Sequence, residues 1–370
     1  MSGGASAGVD HQLDAYDFEL PAGAIAQEAA EPRDAARLLV ATRHVGLRAH
    51  ATVRDLGAYL PPGALLVFND SMVVPARLLG VKADSGGAVE LLLTEPFAGP
   101  WRTFGGAAAA VDLSGLRDQP ALARSSKGLK VGQRVDLQGG AAAVVRTVEA
   151  QGAVRVDFEG AEDLEALLTR CGRLPLPPYL RHGREDDAGD DRVRYQTTLA
   201  RAKGSVAAPT AGLHFTAPLL QGLRDAGFGL ATLTLHVGPG TFLPVRAADL
   251  RTHQVLAERY EISPQAAEAI AAARRDGRPI VAVGTTATRV LESFGDAEIG
   301  AGRGWTSLTI RPGHRFAVVH GLMTNFHLPR SSLLVLLSTF AGREPVLDTY
   351  RQAVAAGYRF YSYGDASLWL

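Results

Sequence analysis

Strand-like and helix-like segments alternate over the second half of the chain, and this alternation limits the possible folds more than any other feature. The strand-like runs are short and apolar, and the helix-like stretches repeat their apolar residues every three or four positions. Such alternation is typical of an α/β core. Strands are predicted at 205–208, 230–235, 280–283, 307–310 and 316–319, and helices at 216–226, 264–276, 286–294, 331–341 and 345–357.

A different pattern interrupts the chain between residues 76 and 158. Short β-like runs at 76–81, 88–94, 132–137, 142–148 and 153–158 are separated by glycine-rich turns, which is typical of a small all-β barrel or sandwich. We therefore predict an inserted all-β domain at 76–158 and an α/β core domain at 1–75 and 159–370 that carries the active site. In the core, further strands are predicted at 37–40 and 64–68, and helices at 23–28, 52–60 and 161–171.

Composition excludes several classes of protein. Lys and Arg together number 38, as do Asp and Glu, so a uniformly basic nucleic-acid coat is excluded. No window reaches 18 apolar residues, which excludes a membrane-spanning helix, and residues 1–21 lack the features of a signal peptide. The single cysteine, Cys171, allows neither an intramolecular disulfide nor a Cys-based zinc site and fits a cytoplasmic protein.

Polar residues follow four predicted strand ends, where α/β proteins usually keep their sites. His214 follows the first strand, His236 the second and Thr285 the third, while Asn325 and His327 precede the helix that opens near residue 331. Because three of these four ends supply a histidine or an asparagine, we predict a site there. Local packing remains an alternative for His214, as does a surface ion pair for the arginine and glutamate at 289 and 292.

The histidine spacing favours neither a metal centre nor a hydrolase. No pair among His214, His236, His253 and His327 has helical i, i+4 spacing, and the His-Glu-x-x-His pattern is absent. No Gly-x-Ser-x-Gly elbow occurs either. We therefore expect no metal.

Nine ordered segments resemble those of the S-adenosylmethionine:tRNA ribosyltransferase-isomerases of the queuosine pathway. Together they span about residues 14–369, nearly the whole chain. The matching stretches are DAYDFELP with IAQ (25–27), FNDSMVVPARL (68–78), LPLPPYLR (174–181), RYQT (194–197), VAAPTAGLHFT (206–216), LHVGPGTFLPV (235–245), VGTTATRVLES (283–293), TNFHLPRSSLL (324–334) and YRFYSYGDASL (358–368).

The resemblance implies a barrel-like α/β core with an inserted small β-barrel. It also implies that S-adenosylmethionine is a co-substrate that donates its ribosyl moiety. The acceptor would be the aminomethyl group of 7-aminomethyl-7-deazaguanine at the wobble position of tRNA. Adenine and methionine would leave, and the product would be epoxyqueuosine-tRNA. We expect a cytoplasmic monomer without an obligate protein partner.

This reaction needs a base near C5′ of the donor, an acid for the departing adenine, and a neutral substrate amine. His214, His236 and His327 are our candidates for acid and base. The donor's sulfonium needs carbonyls, a carboxylate or an aromatic face. The candidates for holding substrate are Asp70, Thr210, Gly212, Gly238, Gly240, Gly284, Thr285, Arg289, Glu292 and Asn325.

The wobble base lies in a single-stranded loop, so it can be splayed into a pocket. Candidate contacts to phosphates of the anticodon arm are Arg77, Lys127, Lys130, Arg181 and Arg194. For each of them a simple solvated charge is an equal alternative.

Several positions depart from the pattern of this family. Leu256 stands where the family usually has the second histidine of His-x-x-His-x-Glu, and the segments near His314, His320 and Trp101 also differ. These departures leave two alternatives open. The first is a relative that uses S-adenosylmethionine with another amine or a small nucleoside as acceptor. The second is a non-catalytic RNA-binding paralogue.

Overall fold

The computed structural model describes residues 9–96, 115–177, 180, 191–242 and 245–370. In these ranges the strands form one sheet of nine, one of seven and one of two. The strands are β1 (Arg37–Thr42), β2 (Gly46–Thr52), β3 (Leu65–Asn69), β4 (Ser71–Val73), β5 (Arg77–Lys82), β6 (Ala88–Leu93), β7 (Gln119–Ser125), β8 (Arg134–Leu137), β9 (Ala142–Val148), β10 (Ala153–Glu159), β11 (Gly172–Arg173), β12 (Ala202–Ser205), β13 (Gly229–Leu235), β14 (Glu258–Ile262), β15 (Ile280–Val283), β16 (Gly302–Thr306), β17 (Gly321–Asn325) and β18 (Ala366–Trp369).

The helices of the described residues lie mostly in the second half of the chain. They are α1 (Leu164–Cys171), α2 (Asp191–Arg194), α3 (Ala217–Asp225), α4 (Pro264–Arg275), α5 (Thr285–Glu292), α6 (Ser332–Ala341) and α7 (Arg343–Ala355). The side chains of Thr216, Ser263 and Ser331 accept hydrogen bonds from the first turns of α3, α4 and α6, which satisfies amides that a helix start leaves unpaired. No helix among the described residues is long and apolar enough to cross a bilayer.

Four parallel strands form the centre of the nine-stranded sheet. Its order is β16-β14-β13-β3-β15-β17-β18-β1-β2, and β13, β3, β15 and β17 run parallel. Helices and loops cover this region on both faces, and β3 and β15 are accordingly buried at every residue. The carboxyl ends of the four strands therefore meet at one edge of the sheet.

The inserted segment forms a closed barrel. Strands β5, β6, β7, β10, β9 and β8 pair in that order, and β8 also pairs with β5. Burial alternates along β6, as expected when one face lines a barrel core. Helix α1 packs Leu164, Leu167 and Leu168 into the same apolar core. The short strand β11 pairs antiparallel with β5. The residues that pack with the barrel thus continue past 158.

The barrel-like closure expected of the core does not occur in the described residues. The nine-stranded sheet is open, with β2 and β16 at opposite ends of the order. Antiparallel strands flank the parallel centre on both sides, so the repeated parallel unit that closes an α/β barrel is interrupted.

Several predicted elements are wrong, and side-chain hydrogen bonds explain two of them. Residues 316–319 form no strand because the amides of Ala317, Val318 and Val319 donate to the carboxylate of Glu292 instead of a neighbouring strand. Residues 307–310 form no strand either, since the backbone of Leu308 bonds to side chains.

The remaining corrections concern short elements near the site. The strand predicted at 205–208 is wrong except for Ser205, which ends β12 (Ala202–Ser205), and β12 pairs with β4 outside the main sheet. The helices predicted at 23–28 and 52–60 are 3-10 helices at Ala22–Ala24 and Val53–Ala58. Strands β2, β4, β7, β11, β14, β16, β17 and β18 were not predicted.

Candidate active site

A small cleft lies at the carboxyl ends of the parallel strands. It brings together predicted residues from separate segments of the sequence, namely Thr210, Gly284, Thr285, Arg289, Asn325 and His327. Tyr195, Ala207–Ala211, Val237, Glu258, Thr286, Thr324, Phe326, Leu333, Tyr361 and Ser362 complete its lining. Residue Gly284 makes the sharp turn from β15 into α5 at φ 94°, a conformation that favours glycine.

The side chain of Asn69 ties three of these strand ends together. Its Nδ2 donates to the carbonyl of Leu235 at 2.9 Å and to Oγ1 of Thr286 at 3.3 Å. Its Oδ1 accepts from the amides of Leu235 and Ser71, both at 3.0 Å. Because both Nδ2 and Oδ1 of this buried amide are hydrogen-bonded, Asn69 holds the ends of β3 and β13 and the start of α5 in fixed positions.

His214 lies directly behind Asn325. Nδ2 of Asn325 is 3.1 Å from Nε2 of His214 and also donates to the carbonyl of Tyr361 at 3.1 Å. Because an amide nitrogen can only donate, Nε2 of His214 accepts and the imidazole is neutral. Burial, with the positive charges of Arg359 and Arg33, lowers the pKa of His214 to about 4. Oδ1 of Asn325 is buried and has no protein partner.

His327 lines the cleft and is held from two sides. Its Nε2 lies 3.1 Å from Oγ1 of Thr324, and its amide donates to the hydroxyl of Tyr350 at 3.2 Å. Burial lowers the pKa of His327 to about 3. At neutral pH the imidazole of His327 is therefore uncharged.

A second, larger groove runs between the barrel and the core. Barrel residues at 94–95 and 149–153 form one side, and the segments around His236, Glu258 and Trp305 form the other. His236, Gly238 and Gly240 of the predicted set lie here rather than in the cleft. Burial and the charge of Arg259 lower the pKa of His236 to about 3, and its Nδ1 has no protein partner.

Glu258, Arg289 and Leu333 line both cavities, so the cleft and the groove adjoin at these residues. The carboxylate of Glu258 and the guanidinium of Arg289 form a buried ion pair at the junction. Glu258 also accepts from the amide of Gly238 at 2.8 Å.

Three predicted substrate-binding residues line neither cavity. Asp70 is buried, and its carboxylate accepts from Thr234 Oγ1 and Arg201 Nε, both at 2.6 Å. Glu292 accepts from three backbone amides, as described above, and Gly212 packs against Thr197. Protein donors thus already occupy the carboxylate oxygens of Asp70 and Glu292.

The predicted RNA contacts are dispersed over the surface. Lys127, Lys130 and Arg194 are exposed, whereas Arg77 is mostly buried in an ion pair with Glu90 at 2.9 Å. Arg181 lies outside the described residues. The described members of this set line neither the cleft nor the groove.

Of the departures from the family pattern, only Leu256 lies in a cavity, on the groove and against Gly240. His314 contacts the carboxylate of Glu292 at 3.4 Å, and Nδ1 of His320 accepts from the amide of Ile280 at 3.3 Å. Trp101 lies outside the described residues.

The sequence reasoning missed Asn69, Glu258, Tyr361 and Ser362. Asn69, Tyr361 and Ser362 lie in segments singled out for their resemblance, and Glu258 ends the stretch in which Leu256 departs from the family pattern. A charge or amide in such a segment does not by itself reveal what it contacts. The described residues contain no group of three or more His, Cys, Asp or Glu side chains that could hold a metal.

Comparisons with known proteins agree on one family. A family described as "Queuosine biosynthesis protein" matches residues 13–369. A relative from Anaeromyxobacter dehalogenans (strain 2CP-C), named S-adenosylmethionine:tRNA ribosyltransferase-isomerase, is 53% identical over 97% of this chain and 99% of its own length. One of the same name from Moorella thermoacetica is 46% identical over 96% of this chain and 99% of its own.

A solved structure shows the same likeness. The S-adenosylmethionine tRNA ribosyltransferase from Thermotoga maritima is 31% identical, with a TM-score of 0.51 over 96% of this chain and 100% of that one.

Proposed function

The chain belongs to the queuosine biosynthesis protein family, and from this premise we propose that it transfers the ribosyl moiety of S-adenosylmethionine to a tRNA. The acceptor is 7-aminomethyl-7-deazaguanine at the wobble position, and adenine and methionine are released as epoxyqueuosine-tRNA forms. The observation that carries the proposal is that the cleft, which holds His327 and Asn325, adjoins the open groove and shares three lining residues with it.

The sizes of the two cavities support a donor that spans them. The cleft encloses about 80 Å³ and the groove about 1020 Å³, whereas sites for drug-sized ligands usually enclose roughly 300–1,000 Å³. A nucleoside with an amino-acid arm therefore occupies the cleft with one end only. The aromatic rings of Tyr195, Phe326 and Tyr361 and the carboxylate of Glu258 line the cleft, and these are groups that stabilise a sulfonium.

The histidines fit the role of base better than that of acid. Burial keeps His214, His236 and His327 uncharged at neutral pH. Of the three, only His327 and His236 line a cavity, so these two are the candidates for a base near the donor. A base of low pKa is weak, and the proton it accepts must pass on quickly. Protonation of the departing adenine then depends on a different group or on hydrogen-bond donors of the cleft.

Leu256 favours a second candidate function, transfer of the same ribosyl moiety to another amine or nucleoside. Its side chain lies on the groove, where the acceptor must approach. An apolar group there gives no hydrogen bond to a polar acceptor, and a buried polar group left without its partner costs about 1–3 kcal/mol. His314 and His320 line neither cavity and do not favour this candidate.

Adenine release from S-adenosylmethionine tests the proposal. It is measured with an anticodon stem-loop that carries 7-aminomethyl-7-deazaguanine and with a matched stem-loop that carries guanine. We expect release with the first RNA only, together with the corresponding mass gain on the RNA. Release that depends on a small amine or nucleoside would support the second candidate. Stem-loop binding without any release of adenine would identify an RNA-binding paralogue and contradict the proposal.

A further inference from the structure

The wall of the groove formed by β14 and β16 carries an exposed tryptophan. Trp305 is 42% exposed, and Leu256, just before β14, is 56% exposed. Both line the groove. The other large apolar side chains that are exposed in the described residues are valines that do not line it: Val9, Val45, Val81, Val131, Val148 and Val193.

The strand register explains why Trp305 faces the barrel. Trp305 pairs with Arg259, and their neighbours Thr306 and Glu258 pair next to them. Successive side chains of a strand point to opposite faces. Glu258 and Thr306 point toward α5, where Glu258 meets Arg289 and Thr306 meets Ser293. Arg259 and Trp305 point the other way, and Arg259 donates to the carbonyl of Pro96 on the barrel side.

The groove also offers a cation without a protein partner. Arg246 is exposed and lines the groove, and no ion pair or side-chain hydrogen bond engages it within the described residues. An exposed arginine with five free donors fits a phosphate, and an exposed indole on the same groove fits the face of an unstacked base.

We propose that Trp305, on the groove that Leu256 also lines, is a stacking platform for a nucleobase next to the modified nucleotide of the RNA loop. The proposal rests on the proposed function, because it takes single-stranded RNA as the occupant of the groove. The position of the groove next to the cleft supports this occupant: when the modified base reaches the donor where the two cavities adjoin, its neighbour in the strand remains in the groove. A protein partner would find a wall of only two exposed apolar side chains beside charged ones.

Fluorescence tests the platform directly. The chain has three tryptophans, and Trp369 is fully buried. In a Trp101→Phe background, emission therefore comes from Trp305 and Trp369. We expect the stem-loop to quench this emission, and we expect Trp305→Phe to abolish the quenching. Quenching that persists in the Trp305→Phe variant would overturn the proposal.

Kinetics with altered RNA separate stacking from a structural effect. Loss of a base–aromatic stack weakens affinity about ten- to a hundredfold. Trp305→Ala should therefore raise KM for the stem-loop by that factor with little change in kcat. Trp305→Phe keeps an aromatic ring and should bring KM most of the way back to the wild-type value. With a stem-loop that lacks the neighbouring base, wild type and Trp305→Ala should have the same KM. Val45→Ala, at a valine that is 77% exposed away from the groove, is the control.

The outcomes distinguish failure of the stacking platform from failure of the proposed function. If wild type modifies the stem-loop and Trp305→Ala does so with an unchanged KM, the platform is wrong and the proposed function stands. If wild type neither binds nor modifies any stem-loop, the proposed function fails and the platform fails with it.

Discussion

The guanidinium of Arg289 and the carboxylate of Glu258 form an ion pair at the junction of the cleft and the groove, and their side chains are only 10% and 7% exposed. Arg289 also donates to the carbonyls of Leu308 and Thr306, at 3.0 and 3.3 Å. Glu258 in turn holds the amide of Gly238. The pair therefore connects α5, β14 and the loop after β13, and it fixes how the two cavities meet.

Glu258→Gln should destabilise the protein strongly. The substitution keeps the shape of the side chain but leaves a buried guanidinium without its counter-charge, which typically costs about 3–5 kcal/mol. Denaturant unfolding measures the free energy change. Glu268→Gln is the control, because the ion pair of Glu268 with Arg275 is 70% and 62% exposed and such pairs contribute at most about 1 kcal/mol. Equal losses in the two variants would contradict a structural role for the buried pair.

Gly204→Ala should lower turnover because it displaces the ring of His236. A Cβ at residue 204 would lie 2.9 Å from Nδ1 of His236, closer than side chains tolerate, and the backbone there has φ +136°. The ring must move, and a displacement of about 1 Å at a catalytic group can cost on the order of a hundredfold in rate. Adenine release measures the loss.

The matched control for this variant is Gly227→Ala. Gly227 also has a positive φ, +87°, but a Cβ there meets nothing within 4 Å. Both variants should lose stability from backbone strain, and only Gly204→Ala should lose turnover. A similar loss of turnover in Gly227→Ala would show that strain alone is responsible.

Acid should destabilise the protein through its buried histidines. Burial lowers the pKa of His214 to about 4 and that of His327 to about 3, from about 6.5 in an unfolded chain. At pH values between the folded and the unfolded pKa, the unfolded chain binds more protons than the folded protein. Stability therefore rises with pH in this range and is lost as pH falls below about 6.5.

Each such histidine adds a slope of up to about 1.4 kcal/mol per pH unit. Unfolding measured between pH 4.5 and 7.5 should therefore show a shallower dependence for His327→Gln than for wild type. His44→Gln, at an exposed histidine, controls for the loss of an imidazole as such. A His327→Gln slope equal to that of wild type would show that His327 titrates in the folded protein as it does in the unfolded chain.

Residue types and periodicity predicted most of the α/β elements but not the pairings that build the site. The ends of β13 and β15 were located from apolar runs that stop at polar or glycine residues. The strand predicted at 64–68 stops before Asn69, although the side chain of Asn69 joins three strand ends, because the bonds of a single amide leave no periodic signal. Burial of Glu258 depends on its ion pair with Arg289, 31 residues further along the chain. The local sequence around Glu258 does not reveal this partner.

The same limit explains why Glu292 was predicted to hold substrate. Its three-residue spacing from Arg289 suggested a shared role, but the two side chains have different partners. Arg289 pairs with Glu258, while Glu292 binds His314 and the amides of residues 317–319. Burial alone would raise the pKa of Glu292, yet the hydrogen bonds from His314 and these amides hold its pKa below the usual value.

Glu292→Gln should therefore lower stability and leave substrate binding intact. An amide cannot accept at both ends, so at least one buried backbone amide loses its partner, at a cost of about 1–3 kcal/mol. Because the folded pKa is lowered, the stabilisation by the carboxylate is present above its unfolded pKa and is lost as pH falls. The stability difference between wild type and Glu292→Gln should accordingly shrink toward acid pH.

Denaturant unfolding across pH measures the first effect, and KM for S-adenosylmethionine the second. Glu261→Gln, which alters an ion pair with Arg303 that is 41% and 52% exposed, is the control for removing a charge. If Glu292→Gln raised KM at unchanged stability, the carboxylate would belong to the donor site after all. An unchanged KM with lowered stability would establish that residues 316–319 are held in place by a side chain that substitutes for a strand partner.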